Sequence, residues 1–284
     1  MKTIVKQHQA VYEPIGNLIT YRAIPTASID YLDPFLFLNH HGPQNYQPHN
    51  SGLPFGPHPH RGFETVTIVI DGDIYHKDSG GFHGTILPGG IQWMTAGKGL
   101  IHAEISSEEF KKQGGNLEIL QLWVNLPSKF KMVDPHYRDL QKNDIPVFKS
   151  DDEKVSVQIF SGKWEGIDGA HVPLVDISLY QIDMKEGGKF LKSIPAEQNV
   201  FFYVIKGELT VNGEPSKSLR LVEFNNDGED IMVEAISDAS ILLGHALPFN
   251  EPVVSAGPFV MNTATEIEQA YEDYRAGKFG ALKG

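Results

Sequence analysis

The sequence contains no cysteine among its 284 residues. Disulfide bonds, thiolate metal ligands and cysteine nucleophiles are therefore excluded. Any metal that the chain binds must be held by nitrogen and oxygen ligands.

Basic residues are few, since 24 lysines and arginines stand against 36 aspartates and glutamates and the formal net charge is -12. Non-specific binding to nucleic acids needs clustered basic residues that neutralise phosphates, so we expect no direct nucleic-acid partner. A contact with another protein is compatible with this charge, because net charge says nothing about one local patch.

Long apolar runs are also lacking. No stretch reaches the roughly 18 apolar residues that a membrane helix needs, and residues 1–8 lack the apolar core of a secretory signal. We expect no membrane partner and a cytoplasmic location.

The 28 glycines and 18 prolines do not form a tract but are scattered between short apolar runs. This distribution is typical of many strands joined by turns, and it predicts an all-β chain of jelly-roll barrels. Residues 39–57 have the composition of a loop, and residues 126–154 lose the alternation and are predicted to connect two domains. Residues 263–271, with Thr263 as cap, predict a short C-terminal helix.

Two segments repeat one pattern. Residues 65–74 and 200–209 both run through apolar residues into a turn of glycine, acidic residue and apolar residue. We predict tandem barrels over residues 1–135 and 136–284. In this register Ser193 and Pro195 stand where the first copy has His58 and His60, so only the N-terminal barrel should bind metal.

Two pairs of possible metal ligands lie about forty residues apart, His58 with His60 and His102 with Glu104. In a strand, side chains two positions apart point to the same face. Imidazoles with a carboxylate suit Fe(II), Mn, Co, Ni, Cu or Zn, and this set with open positions is typical of non-haem iron oxygenases. The spacing therefore predicts one metal site.

Glu64 shares strand parity with His58 and His60 and could be a further ligand if the strand ran on unbroken. A bulge at residues 61–63 would instead leave it to orient a ligand imidazole or to pair with Arg61. His76 and Asp78 have matching parity on a nearby segment and either support the site or pack structurally.

Other residues give weaker signals. No serine lies in a nucleophile-elbow motif, and no glycine-rich turn has the Lys-Ser/Thr of a phosphate loop. Four aromatic residues could line a pocket but are more simply read as core: Phe37, Phe55, Phe63 and Trp93. Five isolated histidines are expected to be surface or hydrogen-bonded core residues: His8, His49, His136, His171 and His245.

Residues 57–67, with the sequence Pro-His-Pro-His-Arg-Gly-Phe-Glu-Thr-Val-Thr, resemble the signature of the pirin family in the cupin superfamily. The resemblance extends over nearly the whole chain, through residues 32–35, 76–79, 92–99, 102–104, 122–127, 250–254 and 257–263.

The resemblance implies two cupin domains, a bicupin, with one Fe(II) in the N-terminal domain held by His58, His60, His102 and Glu104. It implies that Glu64 is outside the ligand set, whereas a glutamate at this place is often a ligand in other cupins.

Members of the pirin family are described as quercetin 2,3-dioxygenases or, in eukaryotes, as nuclear transcription co-regulators whose iron state affects partner binding. The first activity implies an aromatic, flavonol-like substrate and O2, with Glu104 as the candidate base for the 3-hydroxyl proton. The second implies protein partners, and a cupin acting on another small molecule is a third reading. We expect the dioxygenase, as a monomer, with the co-regulator as the alternative.

Overall fold

The computed structural model describes residues 1–282 and is built almost entirely of strands. The strands are β1 (Ile4–Gln9), β2 (Val11–Tyr12), β3 (Thr20–Ile24), β4 (Phe35–Tyr46), β5 (Phe55–His60), β6 (Phe63–Asp71), β7 (Ile74–Asp78), β8 (His83–Ile86), β9 (Ile91–Thr95), β10 (Leu100–Ile105), β11 (Gly115–Asn125), β12 (His136–Leu140), β13 (Val147–Lys149), β14 (Val155–Ser161), β15 (Lys163–Trp164), β16 (Ile167–Asp168), β17 (Ile177–Met184), β18 (Lys189–Ser193), β19 (Asn199–Lys206), β20 (Glu208–Val211), β21 (Glu214–Lys217), β22 (Arg220–Phe224), β23 (Asp230–Ala235), β24 (Ala239–Ala246), β25 (Val254–Ala256) and β26 (Phe259–Met261).

Two short α-helices, α1 (Glu108–Gln113) and α2 (Ala264–Arg275), and 3-10 turns at Ser128–Phe130 and Lys142–Asp144 complete the described secondary structure. The predicted terminal helix is confirmed: Thr263 caps α2 by accepting from the backbone N–H of Glu266, whose side chain accepts from the backbone N–H of Thr263 in return. Within residues 1–282, no helix has both the length and the hydropathy needed to cross a bilayer.

The chain forms two compact units, and both are discontinuous in sequence. The first unit consists of residues 12–20, 36–142 and 249–284, and the second of residues 1–11, 21–35 and 143–248. The sequence predicted two consecutive domains, 1–135 and 136–284, and that division stays a prediction. In the structure, residues 1–11 belong to the second unit and the residues from 249 onward belong to the first.

Each unit is built mainly from two sheets, and a two-stranded sheet is added to each, β25-β26 in the first and β15-β16 in the second. In the first unit, strands β12-β9-β6-β11-β4 form part of one sheet and β5-β10-β7-β8 form the other. In the second unit, the orders are β1-β22-β19-β24-β17-β14-β13 and β18-β23-β20-β21. The sheets of each unit enclose a hydrophobic core, as expected for a jelly roll.

The predicted loop at residues 39–57 is wrong in its first half, because β4 continues to Tyr46. Gly42 explains the difference: it has φ +88°, and a Cβ atom there would lie 2.3 Å from the carbonyl oxygen of Leu117 on β11. The glycine thus permits close backbone approach inside a sheet and does not end the strand.

The predicted connection at residues 126–154 contains the change from one unit to the other, between residues 142 and 143, and it also carries short strands. Strand β12 pairs with β9 from His136 to Leu140, and β13 pairs with β14. These short, charged edge strands lack a clear apolar alternation, which is common for strands that pair on one side only.

Candidate metal centre

The two predicted ligand pairs lie on neighbouring antiparallel strands. Strand β5 carries His58 and His60, strand β10 carries His102 and Glu104, and His102 lies directly opposite His58. Residues directly opposite each other share a face of the sheet. The local strand conformation and this register together bring the imidazoles to one place.

The three histidines form a compact cluster. One ring nitrogen from each of His58, His60 and His102 lies within 4.8 Å of the others. The ring centroids of His58 and His102 are 4.3 Å apart. His102 is fully buried and His60 is 4% exposed, whereas His58 is half-buried, so the cluster is approached from the side of His58.

Backbone carbonyls select the nitrogens available to a metal. The Nδ1 atom of His58 lies 2.7 Å from the Gly56 carbonyl oxygen, and that of His60 lies 3.2 Å from the Pro258 carbonyl oxygen. A carbonyl only accepts, so both Nδ1 atoms carry the proton and both Nε2 atoms present a lone pair. This orientation of ligand imidazoles by a second hydrogen bond is usual at metal sites.

Burial keeps the imidazoles of His60 and His102 neutral. The pKa of His60 is lowered to about 3, mainly by burial and also by the neighbouring His58, while the hydrogen bond to the Pro258 carbonyl opposes both. Burial and then the adjacent histidines hold the pKa of His102 well below its usual range. Because a metal binds the neutral imidazole, the site is ready for a cation at neutral pH.

His102 gives the clearest sign of a missing partner. Within the described part of the chain, neither of its ring nitrogens has a hydrogen-bond partner, although both are buried. Unsatisfied buried nitrogens are rare in folded proteins. A metal coordinated by His102 would satisfy one of them, so the donor set fits a metal such as Fe, Ni, Cu or Zn.

Glu104 lies beside the cluster but outside the group of three. It is 4% exposed, and its Oε1 atom accepts a hydrogen bond of 2.7 Å from the Thr67 hydroxyl. The structure thus places three of the four predicted ligands together. Ligation by Glu104 and its role as a base stay predictions.

His76 and Asp78 flank the ligand strand on its other side. In the pairing of β7 with β10, His76 is opposite Glu104 and Asp78 is opposite His102. The rings of His76 and His102 are 5.3 Å apart, and His76 Nε2 lies 3.5 Å from an Asp78 carboxylate oxygen. Both side chains therefore face the site, as their parity predicted.

Glu64 lies outside the three-histidine cluster. Its carboxylate accepts from Trp93 Nε1 at 3.0 Å and from Thr95 Oγ1 at 2.6 Å. Strand β6 begins after Gly62, and Thr67 faces Glu104 across the site; Glu64, three positions from Thr67, points to the other face of β6. In the described structure it neither contacts the three-histidine cluster nor pairs with Arg61.

The burial of Glu64 has an electrostatic consequence. Burial raises the pKa of its carboxyl to about 7, against the effect of the hydrogen bonds from Thr95 and Trp93, which favour the ionised form.

Arg61, which follows the ligand His60, is fixed by residues from the far end of the chain. Its guanidinium donates to an Asp273 carboxylate oxygen of α2 at 2.8 Å and to the Lys98 carbonyl at 2.7 Å. It also lies 4.6 Å from the centroid of the Phe279 ring. The segment that carries His60 is thereby attached to the C-terminal residues.

The next residue, Gly62, is held equally closely. It has φ +88°, and a Cβ atom there would lie 2.0 Å from the Val260 carbonyl oxygen. The buried ammonium of Lys131 donates to the carbonyls of Gly62 and Val260 at 2.8 and 3.1 Å and to Asn125 Oδ1 at 2.7 Å. Sequence reasoning missed these contacts, because nothing local links residues 61–62 with residues 258–279.

An aromatic wall borders His60. The ring of Trp123 lies 5.3 Å from that of His60, 4.4 Å from Phe63 and stacks on Phe37 at 4.5 Å. Phe37 and Phe63, which the sequence marked as pocket candidates, thus lie near the metal cluster. Trp123 was not among the pocket candidates from the sequence. It lies on β11, and its side chain points to the face of the sheet where it contacts Phe37 and Phe63.

The other two candidates lie elsewhere: Trp93 bonds to Glu64, and Phe55 packs against His41 and a core cluster.

Two family models match the sequence: pirin over residues 17–124 and the pirin C-terminal cupin domain over residues 179–280. The chain belongs to the pirin family. The predicted two-cupin, all-β fold is confirmed, although the sheets of each domain pack face to face without closing into a continuous barrel.

Similar proteins cover nearly the whole pirin chain. A Pseudomonas aeruginosa protein named "Putative quercetin 2,3-dioxygenase" is 36% identical and covers 94% of this chain and 92% of its own. A pirin-like protein of Solanum lycopersicum is 38% identical and covers 98% and 93%. The crystal structure of quercetin 2,3-dioxygenase from Acinetobacter baumannii is 34% identical, with a TM-score of 0.94 and full coverage of both chains.

Proposed function

We propose that this pirin is a mononuclear Fe(II) dioxygenase that opens flavonols such as quercetin with O2. The supporting observation is the cluster of three imidazoles with the unpartnered nitrogens of His102. The names of the similar proteins from Pseudomonas and Acinetobacter support the substrate class.

His58, His60 and His102 would hold the metal through ring nitrogens, with Glu104 as the fourth ligand. Three histidines and a carboxylate suit Fe(II) and leave positions open for substrate. When bound, the metal supplies a Lewis acid for the flavonol 3-oxygen and a redox centre for O2.

Glu104 is the residue that moves the proton. With Oε1 held by the Thr67 hydroxyl, Glu104 would loosen from the metal so that its other oxygen, Oε2, accepts the 3-hydroxyl proton of the flavonol. The hydrogen bond from Thr67 keeps the carboxylate near His102 while Oε2 accepts the proton, so Thr67 orients the base.

The aromatic wall orients the substrate. Trp123 and Phe37 are half-buried and stacked on each other beside His60. A flavonol ring packed against them would lie with its oxygens toward the three histidines. The bulk of the bound flavonol would exclude water from the cluster.

The test is to load the purified protein with Fe(II) under anaerobic conditions, add quercetin in air-saturated buffer, and follow flavonol absorbance together with carbon monoxide. We expect turnover in the wild type, none in His58→Ala, and normal turnover in His83→Ala, which removes an exposed histidine of β8. Full iron occupancy without turnover would refute the flavonol assignment. Turnover that survives in His58→Ala would refute the site.

A further inference from the structure

Thr67 lies between two hydrogen-bond acceptors and has one proton to donate. Its hydroxyl oxygen is 2.7 Å from Glu104 Oε1 and 2.8 Å from Gln121 Oε1. A hydroxyl carries a single hydrogen and otherwise accepts through its lone pairs. Both contacts can be hydrogen bonds only if one of the two neighbours donates to Thr67.

Glu104 is the neighbour that receives the proton of Thr67. A carboxylate that ligates a metal or takes up a substrate proton is ionised, so it accepts and does not donate. A hydrogen bond to an ionised acceptor is also stronger than one between neutral groups. The donor to Thr67 must therefore be Gln121, through Nε2.

A half turn of the Gln121 amide supplies this donor. The two ends of an amide have nearly the same size and shape, so the hydrogen-bonding partners decide which end faces a neighbour. With Nε2 at the position beside Thr67, the bonds run in one direction, from Gln121 to Thr67 and from Thr67 to Glu104. Every proton in this chain then has one acceptor.

The half turn leaves the carbonyl oxygen of Gln121 as an unused acceptor. The end of the amide that faces away from Thr67 has no hydrogen bond to any of the described residues. This end is not enclosed, because Gln121 is half-buried and its amide is absent from the fully buried polar atoms that lack a partner. A ligand can reach it.

This acceptor faces the same interior space as the metal cluster. Gln121 lies directly opposite Thr67 in the pairing of β11 with β6, and residues directly opposite each other share a face of the sheet. Trp123, two positions along β11, shares that face as well, and its ring contacts that of His60. The Gln121 amide thus lies between Trp123 on one side and Thr67 with Glu104 on the other.

We propose that Gln121 determines specificity by selecting substrates that carry a second hydroxyl besides the one that Glu104 deprotonates. Nε2 donates to Thr67, and Oε1 accepts the hydrogen bond of the second hydroxyl while the substrate ring packs against Trp123. An amide in the opposite orientation would present a donor and would select a carbonyl instead. The inference rests on the proposed flavonol activity and deepens it: quercetin is preferred to 3-hydroxyflavone, which has the reacting hydroxyl alone.

The experiment measures equilibrium binding of quercetin and of 3-hydroxyflavone to the full-length, Fe(II)-loaded protein without oxygen, followed by steady-state kinetics in air. We expect the wild type to bind quercetin roughly tenfold more tightly than 3-hydroxyflavone. Gln121→Leu, which has a similar volume, should weaken quercetin binding roughly tenfold and change 3-hydroxyflavone binding by less than about twofold. Metal content and kcat should stay at the wild-type values, because Thr67 keeps its bond to Glu104. The matched control is Gln113→Leu, which removes an exposed glutamine of α1 and should behave as wild type.

A second readout needs no flavonol. In the Zn(II)-loaded wild type, the side-chain amide protons of Gln121 should show a nuclear Overhauser effect to the Thr67 methyl group, because Nε2 faces Thr67. Absence of this effect would refute the orientation of the amide. The same measurement and the wild-type comparison of the two flavonols decide the matter where Gln121→Leu fails to fold.

Failure of the selection and failure of the flavonol activity give different results. Equal wild-type affinities for the two flavonols, or a quercetin affinity that Gln121→Leu does not change, would overturn the role of Gln121 even where turnover is normal. Iron-loaded wild type that binds quercetin but turns over neither flavonol would refute the dioxygenase, and the binding comparison would still decide on Gln121. No saturable binding of either flavonol would overturn both.

Discussion

Removal of the Asp273 carboxylate tests whether helix α2 holds the segment of His60 and Arg61 in place. Asp273→Ala leaves the Arg61 guanidinium, 4% exposed, without its acidic partner. Breaking a buried pair in this way costs about 3–5 kcal/mol. Arg61 keeps its bond to the Lys98 carbonyl and its place over Phe279, so we expect the low end, a loss of about 3 kcal/mol in the free energy of unfolding.

Urea unfolding at neutral pH measures this loss as a shift of the midpoint at constant slope. The matched control is Glu272→Ala, which removes an exposed carboxylate from the adjacent position of α2 and should change stability by less than about 0.5 kcal/mol. The bound metal should also dissociate faster to a chelator in Asp273→Ala than in the control. Equal behaviour of the two variants would refute the reasoning.

The pairing also has a pH dependence. Lys278 and Arg61 hold the pKa of Asp273 at about 2, below the value of about 3.9 in an unfolded chain. A carboxyl with a depressed pKa stabilises the fold above the unfolded value and loses that contribution as pH falls. The difference in stability between wild type and Asp273→Asn should therefore be constant above about pH 5 and should shrink as the pH falls from about 4 to about 2.

Three further predictions concern the site. His102→Ala should lose bound metal, measured by elemental analysis, while His83→Ala keeps it; equal metal in both would remove His102 from the ligand set. Glu64→Gln should keep normal metal content. Because the pKa of Glu64 is about 7 in the folded protein, folding favours its neutral carboxyl, and the variant should gain stability relative to wild type as the pH rises from about 4.5 to 7, by ~3 kcal/mol at most. A stability difference that does not depend on pH would contradict this. Thr67→Val should lower kcat for quercetin roughly tenfold or more with little change in metal content. An unchanged kcat would show that Thr67 does not orient Glu104 for catalysis.

The candidate metal ligands could be found from sequence because their placement depends on a rule that is local to each strand. Spacing by two residues places His58 with His60 and His102 with Glu104, whatever the rest of the fold does. What the spacing could not supply was the register of β5 against β10, with its irregularity between His102 and Glu104, which leaves the carboxylate outside the three-histidine group.

Some local patterns had two readings. Parity alone would place Glu64 with the ligands, and a bulge at residues 61–63 was the alternative; the strand does break there, since β5 ends at His60 and β6 begins at Phe63, and a one-residue change reverses every side chain that follows. Gly42 was taken as part of a loop, yet it permits close backbone approach within β4.

The contacts of residues 258–279 with His60 and Arg61 also determine when the surroundings of His60 can form during synthesis. The ribosome makes His58, His60 and His102 long before it makes Pro258, which orients His60, or Asp273, which fixes Arg61. Domains generally fold as units while the chain emerges, N-terminal parts first, but the surroundings of His60 in this pirin cannot be completed until residue 279 has been added. A metal held by His60 would therefore reach its final surroundings only after residue 279 has been made.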